Sequence, residues 1–248
     1  MLRSEGPSPV LLRDQDTVNG MTRHAGLCWS AAALMTAAAC STTSSPSAPS
    51  SIAAVADPAP RIVVLGDSLA VSPSRADNFV VHLEKRLQET GRSWTMSNES
   101  VSGDTTAGGV RRLDAALTTD TRILIVELGA NDGLRGREIA AIEHDLSTII
   151  ERAQSRGIRV LLCGMETLPS RGWTYTLEFH RLFPRLSAKY NVPLVPFLLA
   201  DVVLNPEMNG DDGIHPNSAG ARRIADTVWA HLEPLTMQSV SSRPILSN

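Results

Sequence analysis

Ser68 stands in "GDSLA", directly after the apolar run Ile62–Leu65, and His215 stands in "DDGIHPN" with Asp212 three residues before it. A serine hydroxyl is a weak nucleophile until a base takes its proton, and imidazole is the base suited to neutral pH. The ring in turn needs a carboxylate on its other nitrogen, to set the tautomer and to stabilise the imidazolium. Gly213, between Asp212 and His215, permits a tight turn that brings carboxylate and ring to one side of a loop. An oxyanion also needs donors. Gly103, in "SVSGDTTAGG", lets its backbone approach closely, and Asn131, in "GAND", offers a side-chain amide. Each piece has a purely structural reading: Ser and Asp cap helices, "AND" is a common turn, and "HPN" suits the start of a helix. Joint placement decides between the two.

That placement comes from the elements. Candidate strands are Ile62–Leu65, Trp94–Ser97, Ile123–Leu128, Val160–Cys163 and Leu194–Phe197. Between them Phe79, Leu83 and Leu87 recur every four residues. Ile139, Ile142, Leu146, Ile149 and Ala153 mark a second helical face, and Ile224, Val228 and Leu232 a last one. Strands alternating with helices imply a parallel sheet covered on both sides, an α/β fold. In such sheets ligands bind beyond the carboxyl ends of the strands. Ser68, Gly103, Asn131 and the Asp212–His215 turn all follow strands and converge on that rim.

"GDSL" at Gly66–Leu69, Gly103 in "SVSGDTTAGG", "GAND" at Gly129–Asp132 and "DGIHP" at Asp212–Pro216 resemble, in order, the four signature blocks of the SGNH (GDSL) hydrolases. The resemblance runs from about Arg61 to Leu235 and is strongest to bacterial periplasmic hydrolases with thioesterase, lysophospholipase and arylesterase activity. It implies a three-layer αβα sandwich with a five-stranded parallel, flavodoxin-like sheet. It also implies Ser68 as nucleophile, His215 as base and Asp212 as its orienting carboxylate, with the Ser68 N–H, the Gly103 N–H and the Asn131 amide as oxyanion donors. The substrate class is then a small ester, thioester or lysophospholipid, and the mechanism calls for no cofactor and no metal. One departure follows the nucleophile, where "AVSPSRADNF" replaces a Gly-rich, aromatic stretch.

With 248 residues, 42% of them hydrophobic, the chain has enough for one sizeable core plus tails. A net charge of −3 gives no sign of nucleic-acid binding. Cys28, Cys40 and Cys163 are too few and scattered for a metal cluster or disulfide framework, and Cys163, in "RVLLCGM", reads as a small buried hydrophobe. Residues 1–40 read as a leader. From Met21, a possible true start, a basic start, an Ala-rich stretch and small residues before Cys40 have the layout of an export signal. Two outcomes stay open: lipidation of Cys40, which would anchor the protein to a membrane, or cleavage to a soluble periplasmic or secreted product. Residues 41–59, rich in Ser, Pro and Ala, read as a disordered linker, 60–235 as the catalytic domain and 236–248 as a flexible tail.

Leu168, Trp173 and Tyr175 lie in "METLPSRGWTYTLEF", read as a loop on the active-site rim and candidates for an acyl pocket. His24, His82, His144, His180 and His231 fall in the leader or in helical patterns and read as surface residues. Three rival readings remain at this stage. The α/β-hydrolase elbow also places Ser, Asp and His in that order, but its serine follows several strands, and Ser68 follows the first. An acyltransferase would use the same residues with an alcohol in place of water. A non-catalytic envelope lipoprotein would not need Ser68, Asp212 and His215 together.

Overall fold

The computed structural model describes residues 58–238. The leader, Cys40 and nearly all of the 41–59 segment fall outside them. The strands are β1 (Arg61–Gly66), β2 (Pro73–Ser74), β3 (Asp77–Asn78), β4 (Thr95–Asn98), β5 (Thr121–Glu127), β6 (Arg159–Cys163) and β7 (Leu194–Val195). The helices are α1 (Phe79–Glu89), α2 (Thr106–Ala116), α3 (Ala130–Arg135), α4 (Ile139–Ser155), α5 (Trp173–Tyr190) and α6 (Ser218–Met237). Five strands form one sheet in the order β4-β1-β5-β6-β7, every pairing parallel. Counted along the chain, this is the 2-1-3-4-5 order of a flavodoxin-like sheet. Helices α2, α4 and α5 pack in succession, and α1 packs on α6, giving the two groups that flank the sheet. Strands β2 and β3 make a separate small hairpin after the Ser68 loop.

The central strands are buried on both faces, which is why they read as continuous apolar runs: Ile62–Leu65 and Ile123–Val126 are fully buried. Helix α4 buries Ile142, Leu146, Ile149, Ile150 and Ala153 against them, each large aliphatic contributing roughly 1.5–3 kcal/mol. Cys163 is fully buried in β6. Among the described residues no helix is long and apolar enough to cross a membrane.

Four expectations shift. The second sheet strand begins at Thr95, not Trp94, because the Trp94 N–H turns back to the Arg92 carbonyl before the ladder opens. The last strand ends at Val195, because Pro196 has no N–H to continue it. The segment after Leu168 is not a loop as far as Phe179. Helix α5 starts at Trp173 and buries Phe179, Leu182, Phe183 and Leu186 along one face. At the other end α6 runs to Met237, two residues past the expected boundary at Leu235.

Candidate active site

Strand β1 ends at Gly66, and the next residues, Asp67 and Ser68, leave the sheet at its carboxyl rim. The chain runs from β1 out to β4 on one side and then to β5 on the other, so the order reverses beside β1. That reversal opens the crevice where ligands bind in open α/β sheets. Ser68 opens a one-turn 3-10 helix, Ser68–Ala70, capped by the Asp67 carboxylate on the Leu69 N–H. Its own N–H belongs to the first turn and has no partner within that turn. Ser72 Oγ donates to the Ser68 carbonyl at 2.7 Å, holding the loop from the far side.

His215 arrives from a loop pinned to itself. The Gly210 N–H donates to the His215 carbonyl at 2.8 Å, and the Asn217 N–H to the Met208 carbonyl at 2.9 Å. Asn217 also caps α6 by accepting from the Ala219 and Gly220 N–H groups. Asp212 Oδ1 accepts the Ile214 and His215 N–H groups, each at 2.9 Å, and Gly213 takes φ +68°, a backbone state that suits glycine. Asp212 Oδ2 then lies 2.5 Å from His215 Nδ1. The His215 ring and these two N–H groups hold the Asp212 carboxyl well below the usual carboxylate range. With Nδ1–H donating to Asp212, Nε2 is left as an acceptor, and Ser68 Oγ stands 2.8 Å from it. Asp211, one residue earlier, is exposed and has no part in this chain.

Asn131 sits in the first turn of α3, just beyond β5, and its Nδ2 donates to Asp67 Oδ2 at 2.9 Å. One amide N–H is thus committed and the other is free. Gly103 lies on the same crevice, and its carbonyl accepts from Arg135 at 3.0 Å, tying the Gly103 loop to the end of α3. The arrangement can deprotonate a hydroxyl, attack a carbonyl and receive the resulting oxyanion.

The sequence profile of the GDSL-like lipase/acylhydrolase family matches residues 64–223, which include every one of these groups. The chain belongs to that family. Among its relatives is an esterase, TesA, of Pseudomonas aeruginosa, 38% identical over 177 residues that make up 70% of this chain and 88% of that protein. A second, named thioesterase 1/protease 1/lysophospholipase L1, from Escherichia coli, is 35% identical over 70% of this chain and 84% of its own length. A crystal structure of a protein named TesA superposes with a TM-score of 0.67 at 36% identity, covering 71% of this chain and 99% of that one. This GDSL hydrolase is therefore an enzyme of the ester-hydrolase class.

Its crevice is a cleft of about 750 Å³, within the range of small-molecule sites. Ser68, Gly103, Asn131 and His215 form its polar edge, and Leu134, Met165, Leu168, Phe197, Leu199 and Ile214 its apolar wall. Of the three expected pocket residues only Leu168 is there. Trp173 and Tyr175 do not line the cleft, because they stand on α5 rather than on a rim loop. Trp173 is 72% exposed. Tyr175 stacks with Phe179 and donates to the Arg137 carbonyl at 2.8 Å. His82 is only half-buried and lies 2.9 Å from Asp77, while His180 and His144 are exposed. Among the described residues no group of His, Cys, Asp and Glu side chains is placed to hold a metal.

The structure adds two buried acidic residues beneath the Ser68 loop. Asp67 and Glu127 are both fully buried, and the Asp67 N–H donates to Glu127 Oε2 at 2.9 Å. Burial pushes the Asp67 carboxyl up to about 6, against the pull of the Leu69 N–H, the Asn131 amide and nearby His215. Burial, and then the Asp67 charge, push Glu127 well above the usual range. The signal was there: a charged residue at the end of the apolar run "RILIVE".

Proposed function

We propose that this enzyme hydrolyses carboxylic esters and acyl thioesters of short to medium chain length through an acyl-enzyme on Ser68. The observation that carries this reading is the continuous Asp212–His215–Ser68 chain of hydrogen bonds opening onto an apolar cleft. His215 Nε2 takes the hydroxyl proton as Ser68 Oγ bonds to the carbonyl carbon, and Asp212 stabilises the imidazolium. The oxyanion is received by the Ser68 N–H, the Gly103 N–H and the free N–H of Asn131. As the intermediate collapses, the alcohol, phenol or thiol leaves with the proton from His215. Water, giving a proton to the same nitrogen, then attacks the acyl-enzyme and releases the acid. Membership of the GDSL-like lipase/acylhydrolase family supports this reading, and relatives named esterase, arylesterase and lysophospholipase support leaving groups of several kinds.

The test is a series of p-nitrophenyl esters of graded chain length, assayed on wild type and Ser68→Ala. Activity should be highest with short to medium chains, and the variant should lose roughly 10⁴ or more in turnover. It should also lose covalent labelling by a fluorophosphonate. Near-normal turnover in Ser68→Ala would remove the nucleophile assignment.

Export is part of the proposal, supported by the basic and Ala-rich composition of residues 21–40, with Cys40 as the site of a lipid anchor. Expressed in a bacterial host, the wild type should then partition with membranes and Cys40→Ser should not, since the several chains of a lipoprotein hold firmly. An unmodified mature N-terminus elsewhere would refute the anchor.

A further inference from the structure

We propose that Glu127 is a positioning residue, its carboxyl bridging to the Asp67 carboxylate through a shared proton and so fixing the Asn131 amide in the oxyanion hole. The inference rests on the oxyanion role of Asn131 argued above. Glu127 closes β5, directly in register with Gly66 at the end of β1. The pairing leaves no space for a side chain at residue 66: a Cβ there would meet Glu127 Oε2 at 2.3 Å and Ser100 Oγ at 2.8 Å. The glycine before the nucleophile loop thus makes room for this carboxyl.

The polar partners around it define its state. Glu127 Oε2 accepts the Asp67 N–H, whereas Oε1 is buried with no donor on it. The Asp67 carboxyl, lying against that of Glu127, is better supplied, with the Leu69 N–H on Oδ1 and the Asn131 amide on Oδ2. Two buried carboxyls in contact do not both ionise near neutral pH, and the one with fewer donors keeps the proton. The Arg112 charge pulls the Glu127 carboxyl down, but less than burial and the Asp67 charge push it up. Arg112, reaching in from α2, donates to Asp104 at 2.6 Å and to the Gly66 carbonyl at 2.9 Å, so its charge is already paired. The remaining titratable neighbours are the buried Cys163 thiol on β6 and, facing Asp67, His215. A protonated Glu127 therefore donates toward Asp67, which stays ionised and holds one N–H of Asn131. The other N–H is left to point into the cleft.

The experiment compares Glu127→Gln, Glu127→Leu and Asn131→Ala, each checked by thermal melt. Gln keeps both a donor and an acceptor, so kcat near pH 7 should stay within about threefold of wild type. Wild-type kcat should fall at alkaline pH as Glu127 loses its proton, and Glu127→Gln should lack that limb. Leu removes the bridge, and kcat should drop about 10- to 30-fold with KM changed less than about twofold. On an Asn131→Ala background the same change should cost less than about threefold, because the group being positioned is gone. The wild type should show the infrared carbonyl band of a protonated buried carboxyl at pH 7, and Glu127→Gln should lack it; this readout stands even if the Leu variant does not fold. An unchanged alkaline limb in Glu127→Gln, multiplying losses in the double variant, or no such band overturns the proposal. If instead Asn131→Ala leaves kcat intact, the oxyanion reading itself has failed.

Discussion

Which of two adjacent carboxylates serves His215 is a question of single bonds. Asp212 makes three contacts within its own turn, two from backbone N–H groups and one with the ring, and these set its carboxylate in the plane His215 needs. Asp211 is exposed beside it. Asp212→Asn should favour the wrong imidazole tautomer and lower kcat by up to roughly 10⁴. Asp211→Asn should remain within about tenfold, the effect of a charge worth about one pKa unit. The reverse ranking, in variants that melt normally, would reassign the carboxylate. With Asn131 in its proposed oxyanion role, Asn131→Ala should lower kcat roughly 10²–10³ with little change in KM. A large rise in KM at intact kcat would make Asn131 a substrate-binding residue instead.

At the scale of elements, the histidine loop is held by the helix it leads into. Asn217 accepts from two N–H groups at the start of α6, and its own amide donates to the Glu207 and Asn209 carbonyls at 3.0 and 3.1 Å. One side chain thus caps the helix and closes the loop that carries His215 two residues earlier. Asn217→Ala should cost about 1 kcal/mol of stability from the lost cap, lowering Tm by about 2–4 °C. Because the loop is loosened too, kcat should fall while KM holds; an unchanged kcat would separate cap from catalysis. The departure after the nucleophile is also an element with a purpose. "AVSPSRADNF" folds as the β2–β3 hairpin, where Asn78 caps α1 and Asp77 meets both His82 and Ser218 at the head of α6. The stretch where the family pattern lapses ties the nucleophile side to the histidine side.

The whole molecule carries the energetic consequence of the buried carboxyl pair. Asp67 and Glu127 both titrate above their unfolded values of about 4. The folded state therefore binds protons more tightly than the unfolded chain over the intervening range. Stability contributed by the pair is greatest in acid and is lost as pH rises past 4, through the Asp67 value of about 6 and beyond to that of Glu127. Glu127→Gln has no proton to lose. Its melting temperature should match wild type near pH 5 and exceed it increasingly toward pH 9. Parallel curves across that range would show that Glu127 ionises freely in the folded protein.

Read alone, the sequence determined the α/β class and pointed to the candidate site, because both rest on local chemistry. Runs such as "RIVVLG" and "RILIVE" are apolar without alternation, which only a strand covered on both faces requires, and the Asp-x-x-His turn closes on itself within four residues. The helix start at Trp173 was not legible, since only packing of Phe179, Leu182, Phe183 and Leu186 on the core overrides the Pro- and Gly-rich stretch before it. Nor was the cleft wall, which draws Leu134, Leu168 and Ile214 from segments far apart in the chain. The meeting of Asp67 with Glu127, 60 residues apart, exists only because β1 and β5 pair in one register. Local spacing determines which groups can react, and strand register decides which buried charges must share a proton.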